Sequence, residues 1–312
     1  MQILQTIKET RQACATARAT VAKRATLGLV PTMGALHEGH LSLIRAAKEQ
    51  CNIVVATIFV NPTQFGPNED FSRYPRTFAS DCALLEAEGV DILFAPTIED
   101  MYPTGISRTF IEVPEISDRL DGLSRPGHFR GVATVVAKLF HIVSPDLAFF
   151  GQKDAAQVAV LRAMVHDLNF PVNLIVCPTV RDPDGLALSS RNQYLSPEER
   201  TQALALSRSL AAATAQVTKG MHDAAQLKST ILHDLQSTPT IKIDYVEIVD
   251  PTTLEPIADV QAGALVAVAA WIGKTRLIDN ALLPQIQSDE NPNDNKPTFT
   301  IQMKNLSSPL TS

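Results

Sequence analysis

The chain has 312 residues, of which 45% are hydrophobic and 19% charged, a composition typical of globular proteins and unlike that of disordered or fibrous chains. Its formal net charge of −6 argues against a general attraction to nucleic acid. The four scattered cysteines form no C-x-x-C pair, and we see neither a signal peptide nor an apolar run of membrane-spanning length. We therefore expect reduced thiols, a cytoplasmic location, and no nucleic acid or membrane as partner.

The first half of the chain alternates between predicted strands and predicted helices. Apolar, β-branched runs predict strands, and apolar residues repeating every three to four positions predict helices. Strands are predicted at Leu27–Pro31, Ile53–Val60, Asp91–Ala95, Leu147–Phe150 and Val172–Cys177. Helices are predicted at Gly39–Gln50, Thr77–Glu88, Gly131–Val143 and Ala155–Leu168. This alternation predicts an α/β fold with a doubly wound parallel sheet.

The second half has a different pattern and predicts a smaller α+β domain. Two helical stretches, 197–218 and 222–237, precede strand-like runs at Lys242–Val249 and Ala264–Trp271. The boundary falls near 178–182, so we expect one domain at 1–179 and another at 180–284. Residues 285–312 are polar and rich in Asn, Pro and Ser, which predicts a disordered tail.

The segment "PTMGALHEGH" (31–40) places two histidines where a predicted strand gives way to a helix. In open α/β sheets, ligands bind beyond the carboxyl ends of the strands, and a helix N-terminus favours phosphate. Gly34 and Gly39 would let a ligand approach the backbone closely. His37 and His40 would then donate hydrogen bonds to oxygens that gain charge in a transition state.

Two other interpretations of the histidine pair stay open at this point. One is a purely structural role, such as capping the helix. The other is zinc binding, but zinc needs three or four ligands, and the sequence offers no matching cluster of cysteines and histidines. The spacing of three also differs from that of the H-E-x-x-H motif.

Three further segments carry polar side chains next to a predicted strand or turn. "DPDGLALSSRNQYL" (182–195) joins a strong turn signal to two hydroxyls and Arg191, which suit an anion. "FFGQKDAAQ" (149–157) brings Lys153 to a second strand-to-helix junction. In "FVNPTQFGPNEDFSRYPRT" (59–77), Asn61 and Gln64 are placed to bind a polar substrate. Each segment alone is equally compatible with an ordinary polar loop or helix cap.

Together these segments resemble the pantothenate synthetase (pantoate–β-alanine ligase) family. The matching stretches, in order, are "PTMGALHEGH", "FVNPTQF", "YPRT", "RPGHFRGVATVVAKLF", "FFGQKDAAQ", "RDPDGLALSSRNQYL" and "YVEIVDP". They span about residues 28 to 282, and so many in one order make the resemblance specific. "HEGH" is similar to the HIGH signature of the nucleotidyltransferase superfamily, and "ALSSR" is similar to its KMSKS-type loop.

The resemblance implies a Rossmann-like N-terminal domain, a smaller C-terminal lid domain and a homodimer. It also implies a ligase of pantothenate and coenzyme A biosynthesis that works in two half-reactions. Pantoate would attack ATP to give pantoyl adenylate and pyrophosphate, and β-alanine would then displace AMP. ATP is implied as a substrate together with Mg²⁺, whose protein ligands stay unknown. No tightly bound cofactor is expected.

The resemblance further implies roles for individual residues. The implied ATP contacts are Met33, Gly34, Ala35, Leu36, His37, Glu38, Gly39, His40, Gly151, Gln152, Lys153, Asp154, Val180, Leu188, Ser189, Ser190 and Arg191. The implied catalytic residues are His40, the proton donor, and His37, Lys153 and Arg191. Gln64 and Gln157 would bind pantoate, and Gln64 would also contact β-alanine.

The sequence departs from the family pattern in two places. Position 156 is alanine where the family often has glutamine, which leaves the packing around Gln157 open. The KMSKS-like loop lacks lysines, as is usual in this family, so Lys153 and Arg191 must supply more positive charge.

Two rival functions are another nucleotidyltransferase of the superfamily and a catalytically silent nucleotide-binding or tRNA-binding module. The acidic net charge argues against RNA binding. The presence of His37, His40, Lys153 and Arg191 argues against a catalytically silent module.

Overall fold

The computed structural model describes residues 1–21, 25–67, 69–105, 108–238 and 240–286. The strands are β1 (Gln2–Leu4), β2 (Leu27–Thr32), β3 (Ile53–Ile58), β4 (Ile92–Phe94), β5 (Leu147–Gly151), β6 (Asn173–Cys177), β7 (Ile241–Val249), β8 (Ala264–Ile272) and β9 (Thr275–Leu283). The helices are α1 (Ile7–Val21), α2 (Glu38–Gln50), α3 (Phe78–Ala87), α4 (Ile98–Met101), α5 (Asp121–Ser124), α6 (His128–Val143), α7 (Ala155–Asp167), α8 (Pro197–Thr218) and α9 (Ala224–Gln236). Short 3₁₀ helices lie at Pro62–Gln64, Gln152–Asp154 and Ser190–Tyr194.

Strands β1 to β6 form one parallel sheet in the order β1-β4-β3-β2-β5-β6. The central strands are apolar and buried on both faces because helices cover both sides of the sheet. Helices α1, α6 and α7 pack on one face, and α2 and α3 pack on the other. The predicted doubly wound, Rossmann-like α/β fold is confirmed.

The topology creates a crevice between β2 and β5. The chain runs outward from β2 to β3 and β4, and then returns to place β5 on the other side of β2. The register pairs Gly28 with Leu147 and Leu29 with Ala148, and it ends there. Pro31, which has no N–H to offer, therefore lies beyond this pairing. Ligands of open α/β sheets bind at such a point, beyond the carboxyl ends of the strands.

The second unit is an antiparallel sheet in the order β7-β8-β9, on which α8 and α9 pack around a separate hydrophobic core. Strand β9 was not predicted, because its sequence "TRLIDNALL" places polar residues among the apolar ones. Two of them, Asp279 and Asn280, are nevertheless only 3% and 5% exposed. Val249, Leu254 and Leu265 join the core of the first unit, so the two units pack against each other.

Other element boundaries differ from the predictions for local reasons. Helix α6 begins at His128 rather than at 131, because its N-cap Gly127 takes a left-handed φ of 81°. Strand β3 ends at Ile58 rather than at Val60, and Asn61 caps the 3₁₀ helix that follows. The N–H of Ile286 donates to the carbonyl of Gln261 at 3.0 Å, so the packed chain continues into the predicted tail. The rest of that tail lies outside the described residues. None of the described helices has the length and apolar character needed to cross a membrane.

Candidate functional site

A cavity of about 210 Å³ lies at the carboxyl ends of β2 and β5. The predicted site residues that line it are Met33, His37, His40, Gln64, Lys153, Asp154, Gln157, Leu188, Ser189, Ser190 and Arg191. A neighbouring cavity of about 80 Å³ shares Lys153, Asp154, Gln157, Ser189 and Arg191 with it and adds Arg125 and Arg276. The four segments that carried the sequence prediction therefore meet around one space.

His37 and His40 each use one ring nitrogen to stabilise the start of α2, and both rings also line the cavity. His37 is the N-cap of α2, and its Nδ1 accepts the N–H of Gly39 at 3.2 Å. A Cβ at position 39 would lie 2.9 Å from Cε1 of His37, so the ring needs glycine there. The N–H of His37 donates to Nδ1 of His40 at 3.4 Å, and the ring centres are 4.1 Å apart. Because each Nδ1 accepts, each neutral ring carries its proton on Nε2, and both rings line the cavity.

Both rings are neutral at pH 7. Burial and the nearby Lys153 lower the pKa of His37 to about 4. Burial and the adjacent His37 ring lower the pKa of His40 to about 3. A neutral imidazole donates a hydrogen bond but has no readily released proton at neutral pH. The neutral ring of His40 can thus donate a hydrogen bond from Nε2, and its role as the proton donor stays a prediction.

Asp81, which no sequence pattern singled out, holds the loop before α2 from behind. Its carboxylate is 2% exposed and accepts the N–H groups of Ala35 at 3.0 Å and Leu36 at 2.9 Å. Gly34 has a φ of 79°, and a Cβ there would lie 3.0 Å from Oδ2 of Asp81. Gly34 therefore leaves room for this carboxylate.

Asn61 positions Gln64. The fully buried Asn61 donates from Nδ2 to Oε1 of Gln64 at 3.0 Å and to the carbonyl of Gly131 at 3.2 Å. A Cβ on Gly131 would lie 2.3 Å from the carbonyl oxygen of Thr63, so α6 approaches this turn at a glycine. Asn61 does not line the cavity, which leaves it a supporting role. Gln64 Nε2 has no protein acceptor among the described residues and is available to a substrate oxygen.

A second supporting network lies behind Gln64. Nδ1 of His128 donates to the carbonyl of Gln64 at 2.8 Å, and Nη1 of Arg125 donates to Nε2 of His128 at 2.9 Å. Arg125 in turn forms a two-point ion pair with Glu69, at 2.8 and 2.6 Å. Burial and Arg125 lower the pKa of His128 to about 4. These residues lie in quoted motif stretches or beside them, but no local pattern in the sequence assigned them a role.

Arg191 reaches the cavity while it is held by Asp70. Its Nε and Nη2 donate to the Asp70 carboxylate at 3.0 and 2.9 Å, and its guanidinium carbon lies 5.9 Å from the centre of the Tyr74 ring. Burial lowers the pKa of Arg191, but the bonds to Asp70 raise it overall, so the group stays charged. Among the described residues nothing accepts from Nη1. This part of the fork is available to an anion.

Several implied ATP contacts line neither cavity. They are Gly34, Ala35, Leu36, Glu38, Gly39, Gly151, Gln152 and Val180. Glu38 instead pairs with Arg45 on the outer surface, and the carbonyl of Val180 accepts the N–H of Leu188 at 3.0 Å. Ala156 is 4% exposed and packs in the core, so this departure from the family pattern does not reach the cavity beside Gln157.

The family model described as pantoate-beta-alanine ligase matches residues 2–282. The chain belongs to the pantoate–β-alanine ligase family. A pantothenate synthetase from Acidobacterium capsulatum is 62% identical over 257 residues, which cover 82% of this ligase and 86% of that protein. A pantothenate synthetase from Thermotoga neapolitana is 56% identical over 283 residues, which cover 91% of this ligase and 100% of that protein.

Solved structures agree with this assignment. Pantothenate synthetase from Thermus thermophilus has a TM-score of 0.84 and 47% identity, with 90% of this ligase and 99% of that chain covered. Pantoate-beta-alanine ligase from Francisella tularensis, complexed with beta-gamma ATP and beta-alanine, has a TM-score of 0.71 and 36% identity, with 90% and 97% covered. The predicted ATP-dependent condensation of pantoate with β-alanine is confirmed, and the two rival functions are set aside.

Proposed function

We propose that this ligase forms and consumes pantoyl adenylate in the 210 Å³ cavity. One observation carries the proposal: donors suited to phosphate and amides suited to a small polar acid line the same space. His37, His40 and Lys153 provide the first set, and Gln64 and Gln157 provide the second. ATP phosphates would lie along the first set at the N-terminus of α2, with pantoate against the two amides.

In the first half-reaction, a carboxylate oxygen of pantoate attacks the α-phosphorus of ATP. The bond from that phosphorus to the bridging oxygen breaks, and pyrophosphate leaves. Negative charge grows on the oxygens around the phosphorus and on the leaving group. The two neutral Nε2–H donors and the Lys153 ammonium stabilise this charge without reorganising, which is the main help that such a transfer needs.

In the second half-reaction, the amine of β-alanine attacks the acyl carbon of the adenylate. The bond from that carbon to the AMP oxygen breaks, an amide forms, and the nitrogen loses a proton. The adenylate is also open to attack by water, so a closed site protects it. Supporting contacts across the mouth are the Arg191–Asp70 pair and the bond from Ser190 Oγ to the carbonyl of Ala35 at 3.2 Å.

The Mg²⁺ implied with ATP fits the cavity as a partner of the phosphates. Within the described residues there is no group of three or more His, Cys, Asp or Glu side chains that would hold a metal alone. Mg²⁺ usually keeps several waters and takes one or two carboxylates besides the phosphates. Asp154, the one carboxylate among the described residues that line the 210 Å³ cavity, would serve, and the ion would offset phosphate charge.

The domain division is part of the same proposal. Residues 1–179 would bind ATP and pantoate, and residues 180–284 would close over them as a lid. The crevice position of the cavity and the contacts of the 189–194 loop with the first unit support this division. A homodimer in the cytoplasm stays a prediction, which sedimentation of the purified protein tests for the dimer.

The test of the mechanism is a product analysis. AMP and pantothenate should appear in equal amounts only when ATP, Mg²⁺, pantoate and β-alanine are all present. Without β-alanine, labelled pyrophosphate should still exchange into ATP, and that exchange should require pantoate. Formation of ADP, or exchange without pantoate, would reject the adenylate route.

A further inference from the structure

The second unit contacts the turn that carries Lys153 through Asn280. This β9 side chain is 5% exposed and makes all of its side-chain hydrogen bonds to the 3₁₀ helix that follows β5 in the other unit. Its Nδ2 donates to the carbonyl of Gln152 at 3.0 Å and to the carbonyl of Lys153 at 2.8 Å. Its Oδ1 accepts from Nε2 of Gln152 at 3.1 Å. A buried amide thus pairs with two main-chain carbonyls and one side chain of a single turn.

The strand that presents Asn280 is itself fixed. The neighbouring Asp279 is 3% exposed, and its carboxylate forms a two-point ion pair with Arg181 at 2.6 and 2.9 Å. The N–H of Asn280 donates to the same carboxylate at 2.8 Å. Because these contacts hold the main chain of Asn280 in the second unit, its side chain can fix the Gln152–Asp154 turn of the first unit.

The turn carries Lys153, whose side chain lines both cavities. Its ammonium lies 3.5 Å from the Asp154 carboxylate, and that contact is local to the turn. The ammonium lies at the end of a flexible four-carbon stem, so the position of the main chain sets the region that it can reach. The bond to the Lys153 carbonyl fixes that main chain at the residue itself.

We infer that Asn280 is a positioning residue for adenylate formation and that it acts through Lys153. The inference rests on the role proposed above for Lys153. It assigns the second unit an indirect part in the chemistry: packing β9 against the turn orders the cation that faces the phosphates. Asn280 lines neither cavity, so it has no contact of its own with substrate.

The experiment is a double-mutant cycle read by pantoate-dependent exchange of pyrophosphate into ATP. Asn280→Ala in the wild-type background should slow exchange roughly tenfold to a hundredfold, the loss expected when a catalytic group is misplaced by about 1 Å. In the Lys153→Ala background, the same change should slow the residual exchange less than about twofold, because the effects of two substitutions are not additive when one residue acts through the other. Asn280→Asp keeps the shape but cannot donate to the two carbonyls, so it should behave as Asn280→Ala does.

Arg119→Gln is the matched control. Arg119 also joins the two units, through Glu255 at 3.1 Å and the carbonyl of Thr253 at 2.8 Å, but it touches neither the turn nor Lys153. It should leave exchange near the wild-type rate. If Asn280→Ala or Asn280→Asp slows exchange equally in both backgrounds, Asn280 is only a structural link and the inference fails. Exchange at the wild-type rate by Asn280→Ala or by Asn280→Asp would also overturn the inference. Absence of exchange in the wild type would instead reject the proposed function.

Discussion

The main-chain N–H of His37 donates to Nδ1 of His40 at 3.4 Å, so the cap of α2 determines which nitrogen of His40 carries the proton. The same cap uses Nδ1 of His37 for the N–H of Gly39. The same hydrogen bonds that cap α2 therefore leave the proton of each ring on Nε2, where it can be donated to a ligand. This relationship explains why a strand-to-helix junction carries two histidines three residues apart.

Replacing either histidine by alanine should slow adenylate formation by roughly 10²–10³-fold, the usual loss for one such donor. The larger effect should fall on His40, in the position of the family's donor. His37→Ala also removes an N-cap, at a cost of about 1 kcal/mol in unfolding free energy, which His37→Asn should largely restore without restoring the rate. Single-turnover adenylation and thermal melting check both points. Wild-type adenylation by His40→Ala would show that the ring is scaffold.

Acid should destabilise the fold in part through His128. Its pKa is about 4 in the folded chain and near 6.5 when unfolded, so between those values the unfolded state binds more protons. The free energy of unfolding therefore falls as the pH drops through this window, by up to about 1.4 kcal/mol per pH unit for one histidine. His128→Gln should give a shallower slope in denaturant titrations between about pH 4.5 and 6. An unchanged slope would contradict the burial of a neutral ring.

Gln64→Ala and Gln157→Ala should weaken pantoate use far more than ATP binding. An unpaired substrate oxygen in a buried site costs about 1–3 kcal/mol, which corresponds to a rise of about 5- to 150-fold in the KM for pantoate. Asn61→Ala should produce a milder version of the Gln64 effect, since it releases Oε1 of Gln64 without removing the amide. A raised ATP dissociation constant with an unchanged pantoate KM would place the two amides in a different pocket.

Local patterns in the sequence were enough to predict the parallel sheet and the cavity that it forms. Buried strands have continuous apolar runs, and in a parallel sheet their carboxyl ends share one edge, which predicts Lys153 and the histidines at the same edge. The structure adds the strand order, which places β2 beside β5 and so makes them neighbours. The same reasoning failed for β9, because a strand that buries Asp279 and Asn280 against partners from other elements does not alternate simply.

The residues that support the site could not be predicted from local sequence patterns for a related reason. Asp81, Asp70 and Asn280 act through contacts with residues 45, 121 and 127 positions away in sequence, respectively. Nothing in the local pattern of an acidic or amide residue tells a solvated side chain from one that holds a distant loop. The family resemblance identified the residues that face the ligand more readily than those behind them.

Removing residues 287–312 should leave both activity and melting temperature nearly unchanged. That segment is polar and rich in Asn, Pro and Ser, which gives it little apolar surface to bury. Removing residues from Gln285 onward should lower the melting temperature slightly, because Ile286 packs on the second core and bonds to Gln261. Differential scanning calorimetry on both truncations makes the comparison. A drop of several degrees in the shorter deletion would show that the tail is docked.

Asp70 should set the affinity for ATP by fixing Arg191. The carboxylate takes Nε and Nη2 of the guanidinium and leaves Nη1 for a phosphate, while Asp70 itself lines neither cavity. Freeing such a side chain costs about 0.5–1.5 kcal/mol of ordering when ATP binds. Asp70→Ala should therefore raise the dissociation constant for ATP roughly 3–10-fold.

Asp70→Glu keeps the charge and the two oxygens, so it should recover part of that loss. Glu247→Gln removes one partner of a comparable pair, with Lys228 at 2.8 Å in the second unit, and should leave ATP binding unchanged. Calorimetric titration of ATP at fixed ionic strength compares the three variants. Removing a carboxylate also makes the site more positive, which by itself would favour ATP. Tighter binding by Asp70→Ala would thus mean that Asp70 competes with phosphate for Arg191 instead of holding it in place.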